Sequence, residues 1–200
     1  MRLLLAAAAS LGLATAASAQ TLDVPSGTYV VDPTHTSILW KVNHLGFSNY
    51  TGTFARDAID ATITLDASDV ANSSVSVTVN GQEVETLHPA AKDFNAEIES
   101  EMFINSDAHP QITFTSSSIE VTGDNTANIT GELTLAGQTH PLVLETTLNG
   151  AKDHPMSGNP TIGISATGVV KRSEWGVTSL VGPIGDDVVV EIQGEFLLQN

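Results

Sequence analysis

No cysteine occurs among the 200 residues of the chain, so neither disulfides nor thiolate chemistry contribute to its stability or its function. Cations are scarce too, with 7 Lys+Arg against 23 Asp+Glu and a formal net charge of −16. Nucleic-acid affinity rests on cationic neutralisation of phosphate, so no nucleic-acid partner is expected. The same charge disfavours adsorption to anionic lipid and keeps copies of the chain apart. After the first twenty residues no stretch is continuously apolar enough for a membrane helix, which needs about 20 such residues.

Signatures of catalysis are equally lacking. The chain has no Gly-x-Ser-x-Gly elbow, no Gly-rich phosphate loop and no His-Glu-x-x-His pattern. Its six histidines, at 35, 44, 88, 109, 140 and 154, are dispersed without helical metal-ligand spacing. Spacing alone leaves open whether folding gathers them, but it points to no metal and no cofactor. Asp186-Asp187 follow Gly185 and read as turn residues. The chain is not expected to be an enzyme.

The N-terminus carries a clear address. Met1-Arg2, an Ala/Leu-rich run from Leu3 to about Leu13, and Ala17-Ser18-Ala19 have the composition of a secretory signal peptide. Residues 1–19 are therefore expected to be removed before Gln20, leaving 20–200 as a single exported domain, placed in the periplasm. About 180 residues bury a sizeable core without staples.

In that remainder apolar residues recur at every second position, the period of half-buried strands. Examples are Ile38-Trp40-Val42, Ile59 to Leu65, Val75-Val77-Val79, Ile129 to Leu135, Leu142 to Leu148, Ile162 to Ala166 and Val188 to Phe196, with shorter runs at Tyr29–Val31, Gln111–Thr115 and Ile119–Val121. Asn80-Gly81, Gly123-Asp124-Asn125, Ala136-Gly137 and Asn149-Gly150 suit tight turns between antiparallel strands. One segment differs. Between His88 and His109 the residues Phe94, Ile98 and Met102 are spaced by four among glutamates, which predicts a short amphipathic helix from about Pro89 to about Asn105. Its stripe either packs on the barrel or walls a cavity. The pattern is all-β, an antiparallel barrel whose interior is filled by side chains or holds one small ligand. His44 shares the parity of Trp40 and Val42 and is a candidate polar anchor or a hydrogen-bonded core histidine. Arg172, close to Trp175, is a candidate head-group contact or a rim ion pair with Glu174 or another carboxylate.

Tyr29-Val30-Val31-Asp32-Pro33-Thr34-His35-Thr36-Ser37-Ile38, continuing through Trp40, Val42 and His44 to Gly52-Thr53-Phe54, resembles the opening signature of the YceI-like family. Thr86, Met102-Phe103, His109 to Phe114, Gly131 to Leu142, Arg172 to Val177 and Gly185 to Val188 resemble its later motifs in order. The resemblance implies a lipocalin-like antiparallel β-barrel of about eight strands, exported, that holds a polyisoprenoid, quinone or other amphiphilic lipid for transport or storage. Under it Trp40, Val42, Phe54, Phe94, Ile98, Met102, Phe103, Phe114 and Trp175 are the expected apolar wall, with His44 and Arg172 near the head group. Trp40 and Trp175 stand where the family often has Phe, and His140 replaces a frequent Lys or Arg. A diphosphate head group wants Arg or Lys donors, which are sparse here, whereas a neutral quinone-like head group stays open. The alternative is an accessory protein for a membrane redox partner such as a b-type cytochrome, for which an exposed apolar patch is expected.

Overall fold

Alternating apolar residues build strands at each predicted place, and every pairing between strands is antiparallel. The structure is a computed structural model that describes residues 20–199, so the expected leader lies outside the described residues. The strands are β1 (Gly27–Val31), β2 (Ser37–His44), β3 (Ser48–Phe54), β4 (Ile59–Leu65), β5 (Ser74–Asn80), β6 (Val84–Thr86), β7 (Gln111–Gly123), β8 (Thr126–Leu135), β9 (Gln138–Asp153), β10 (Pro160–Lys171) and β11 (Ile184–Leu198), with one α-helix, α1 (Ala91–Glu99).

Eleven strands make an eight-line barrel. β11 pairs with β1 near its end and with β2 along its first half, so β1 and β2 form one line broken by a 3-10 turn at Pro33–His35. On the next line β3 pairs with β2 and β4 with β1, with a break at Arg56–Ala58. On the third, β6 pairs with β3 and β5 with β4, with a break at Gly81–Glu83. β7 to β11 complete the circuit without such breaks. Asp32 caps the first break, its side chain accepting the Thr34 N–H at 2.8 Å, and Arg56 donates to the Thr34 carbonyl, which ties the first two breaks together. Closure leaves no sheet edge in the lower half of the barrel.

Three local expectations need correction. Asn80-Gly81 does not reverse the chain: the Asn80 side chain accepts the Gln82 N–H and starts the 3-10 turn, after which the line continues upward as β6. Asn149-Gly150 lies inside β9, where Gly163 faces Gly150 and Ile164 faces Leu148. Asn149 is thus the extra residue of a β-bulge, and the hairpin reverses at His154–Asn159 instead. The helix is shorter than its apolar spacing predicts. It starts at Ala91 and stops at Glu99, because Ser100 leaves the helical backbone and turns its hydroxyl onto the Glu97 carbonyl at 2.6 Å. Met102 therefore falls beyond the helix and is exposed, while the next two residues, Phe103 and Ile104, take the inward contacts. By contrast, Ala136-Gly137 makes the two-residue turn between β8 and β9, with φ of 50° and 77°, the positive values that such a hairpin requires.

Candidate functional site

Residues of one parity on each strand point into the barrel. At the upper end, where β2 turns into β3, β8 into β9 and β10 into β11, they enclose a cavity of about 210 Å³. Its wall is built from Trp40 and Val42 of β2, Phe54 of β3, Phe114 of β7, and the inward aliphatic residues of β5, β8, β9 and β11. Ile98, Phe103 and Ile104 close one side of its top, and Val177 and Ile184 close the other. All of the lining residues are apolar except Thr113 and Arg172. Large rings fit inside because glycines face them. A β-carbon at position 52 would overlap the Trp40 indole, and one at position 131 would lie 2.5 Å from the Phe114 ring.

A second apolar space of about 80 Å³ lies in the lower half, walled by Ile63, Val75, Ile129, Leu148 and Ile162 among others. They are inward positions further down the barrel, consecutive with the upper wall on β5 (Val75 after Val77) and β9 (Thr146 after Leu144), so the two spaces lie at different heights in one lumen. The inward side chains of Tyr29, Ala61, Ala166 and Phe196 are buried and line neither of them. Tyr29 is held there by its hydroxyl, which donates to the Pro25 carbonyl at 2.7 Å.

Of the expected wall, Trp40, Val42, Phe54, Ile98, Phe103 and Phe114 line the upper cavity. Phe94 stands behind it, stacked on His88 at 4.7 Å and edge-on to Tyr50 at 5.5 Å. Met102 is exposed. Trp175 is buried outside the cavity, its indole N–H donating to the Leu133 carbonyl at 3.0 Å and its face meeting the His140 ring edge-on at 5.2 Å. His44 has the inward parity but ends β2, so it reaches the rim and is exposed instead of entering the lumen.

Arg172 does line the cavity, and its protein partners are not the expected Glu174. Its Nε donates to the Gly185 carbonyl at 2.8 Å, Nη1 to those of Val177 and Ser179, and Nη2 to that of Ile184. All four acceptors are backbone carbonyls, two in the β10–β11 connection and two at the start of β11, and Glu174 is not among them. Burial pulls the guanidinium below its ordinary pKa, against the opposing pull of the Asp186 charge. Asp186 accepts the Ser173 hydroxyl at 2.7 Å and its N–H at 2.9 Å, and these bonds, with Lys171 and Arg172 nearby, hold its carboxyl below the usual range. Asp186, one of the pair read as turn residues in the sequence, thus anchors the turn that presents Arg172.

Two polar features were not foreseen. Tyr50, inward on β3, has a buried hydroxyl without a hydrogen-bond partner, the one such side-chain atom among the described residues. It sits between Trp40 and Phe94, beside the cavity wall. Its signal in the sequence was parity with Gly52 and Phe54, but β3 has too few apolar residues to declare itself as a strand. Elsewhere, Asp32, His35 and Glu195 lie with their ligand atoms within 4.8 Å of one another on the outside of the barrel. They include a single histidine, and among the described residues the other histidines do not converge with it.

The YceI-like domain pattern matches residues 29–196. Protein YceI of Escherichia coli O17:K52:H18 is 36% identical over 162 residues, covering 80% of this chain and 81% of that protein. Among solved structures, BcnA of Burkholderia cenocepacia superposes with a TM-score of 0.72 at 21% identity, covering 82% of this chain and 98% of that one. A polyisoprenoid-binding domain from Saccharophagus degradans superposes with a TM-score of 0.60 at 11% identity, covering 86% of this chain and 98% of that domain.

Proposed function

Because the chain belongs to the YceI-like family, we propose that its barrel holds a long isoprenoid, a quinone or polyprenyl chain or a similar amphiphilic lipid, and acts by binding and not by catalysis. The observation that carries this reading is the composition of the cavity wall, apolar at every position but two. Such a wall takes hydrocarbon out of water at about 0.8 kcal/mol per buried CH₂ before ordering costs. Neither exception supplies chemistry: Thr113 does not titrate, and Arg172 spends four donors on backbone carbonyls. With those donors committed, the site favours a neutral head group over a diphosphate, which needs free cationic donors. The polyisoprenoid-binding neighbour from Saccharophagus degradans shares the fold and agrees with this ligand class.

The cavity, at about 210 Å³, is smaller than ordinary small-molecule sites of roughly 300–1,000 Å³. A chain of many isoprene units therefore extends beyond it, downward into the lower space or out through the upper end. The signal-peptide-like composition of residues 1–19 supports a periplasmic setting, where an insoluble chain needs a protein to cross water. The test is native mass spectrometry of the protein purified from its own cells, followed by organic extraction. A stoichiometric isoprenoid is the expected result. An empty barrel that also takes up no such chain in vitro overturns the reading.

A further inference from the structure

The loops that close the cavity from above each have a second, outer face. Val42 faces the cavity, and the turn that follows it exposes Leu45 and Phe47, the latter at 89%. Val177 and Ile184 face the cavity, and between them Leu180 and Val181 are exposed. Phe103 and Ile104 face inward beside an exposed Met102, and Leu87 emerges above β6 at the same end. The first two loops are joined, since the Leu45 N–H donates to the Pro183 carbonyl at 2.8 Å.

Charge is missing from the first two of these loops. Residues 43–49 and 176–185 contain no Asp, Glu, Lys or Arg, in a chain with 23 acidic residues. The backbone is strained at the two tips, with Leu45 at φ 56° and Leu180 at φ 55°, where branched side chains are rarely found and where asparagine or glycine would fit without cost. At Leu45 the positive φ, followed by Gly46 at 74°, serves the β2–β3 turn, so the feature that calls for an explanation at both tips is the choice of an exposed leucine there.

We propose that this rim docks on a zwitterionic phospholipid bilayer, with the cavity's upper end facing the membrane. Apolar side chains enter the headgroup layer from uncharged loops, while the acidic remainder of the barrel, including Glu101 beside Met102, stays in water and is repelled by anionic lipid. Continuity between wall and rim gives a chain an apolar path from the bilayer into the lumen. The purpose of docking, loading and unloading a lipid, rests on the proposed function, but the docking itself does not.

The test is flotation of the full protein with phosphatidylcholine vesicles, beside uptake of a fluorescent polyene chain from dilute ethanol. The wild type is expected to float with the vesicles, and to do so equally at about 0.5 M salt, since the contact is apolar. Combining Leu45→Asn, Phe47→Ser and Leu180→Asn is expected to cut flotation at least about tenfold while leaving the thermal melt and chain uptake unchanged, because asparagine tolerates the left-handed backbone. Docking is overturned by a wild type that stays at the bottom of the gradient, or by a triple variant that floats as well as the wild type; a protein partner or a second copy then covers the rim. Flotation without chain uptake supports docking and overturns the cavity's proposed function instead.

Discussion

Trp40 lies across Gly52. The indole fills the place where a β-carbon at position 52 would stand, on the neighbouring strand and directly opposite in register. A barrel wall of uniform large residues would leave this ring pointing at the lumen axis; against glycine it lies flat and leaves the cavity open. Gly52→Ala is therefore expected to push Trp40 inward. It should cost about 1–3 kcal/mol in urea denaturation, the usual range for overpacking, and should weaken binding of a polyprenyl chain. A variant that binds and unfolds as the wild type does would show that the indole has room to spare.

Arg172 holds together the connection that roofs the cavity. Arg172→Met keeps much of the volume but strands four carbonyls, with an expected loss of about 2–4 kcal/mol. Amide hydrogen exchange across residues 177–185 should accelerate more than in β8 and β9. Arg172→Lys should not rescue it, because an ammonium cannot match the planar fork that reaches four acceptors. Equal exchange in both regions would assign Arg172 no local role.

Tyr50 carries a buried hydroxyl that nothing satisfies, an arrangement that costs about 1–3 kcal/mol. Tyr50→Phe is expected to raise the melting temperature of the empty protein. If the hydroxyl serves a head group, the same change should weaken a quinone more than a plain hydrocarbon of equal chain length. Parallel losses for both ligands would remove Tyr50 from recognition.

Phe196 pairs in register with Ile162, a wall residue of the lower space, and lays its ring over Gly194. Phe196→Ala should enlarge the lower space and shift preference toward longer chains, at about 3–5 kcal/mol of stability. Extracted lipid profiles from cells expressing each form make the comparison, and an unchanged length distribution would place the chain's tail elsewhere.

Asp32 and His35 give the outer surface a pH signature. The Thr34 hydroxyl and then His35 hold the Asp32 carboxyl at about 2, and hydrogen bonding to Asp32, with the nearby Glu195, raises His35 above its ordinary value. The Asp32 contribution is present above the unfolded carboxylate range and fades as pH falls toward 2. The His35 contribution is complete below about 6.5 and fades as pH rises through the elevated value. Asp32→Asn should abolish the acid-side loss and bring the His35 titration, read by NMR, back toward 6.5. A histidine that titrates alike in both proteins would show that the pair does not form.

Strand positions were legible because burial on one face imposes period two, and this alone orients Trp40, Val42, Phe114 and the β11 valines. Four things were not. Asn149 breaks parity as a bulge, which looks the same in sequence as a turn. Parity told which way His44 points but not that the barrel ends there. Arg172 bonds only to carbonyls, and backbone acceptors leave no trace in side-chain composition. Spacing by four predicted a helix through Met102, but it cannot see the hydroxyl of Ser100 that ends one.

Three neighbouring strand lines are broken at one side of the barrel, at Pro33–His35, Arg56–Ala58 and Gly81–Glu83, while the five lines opposite run through. A bend at those joints need not be transmitted to the ladders below them. β6 ends the sheet without pairing to β7, so the wall is an open edge on that flank above the breaks and a closed ring below them.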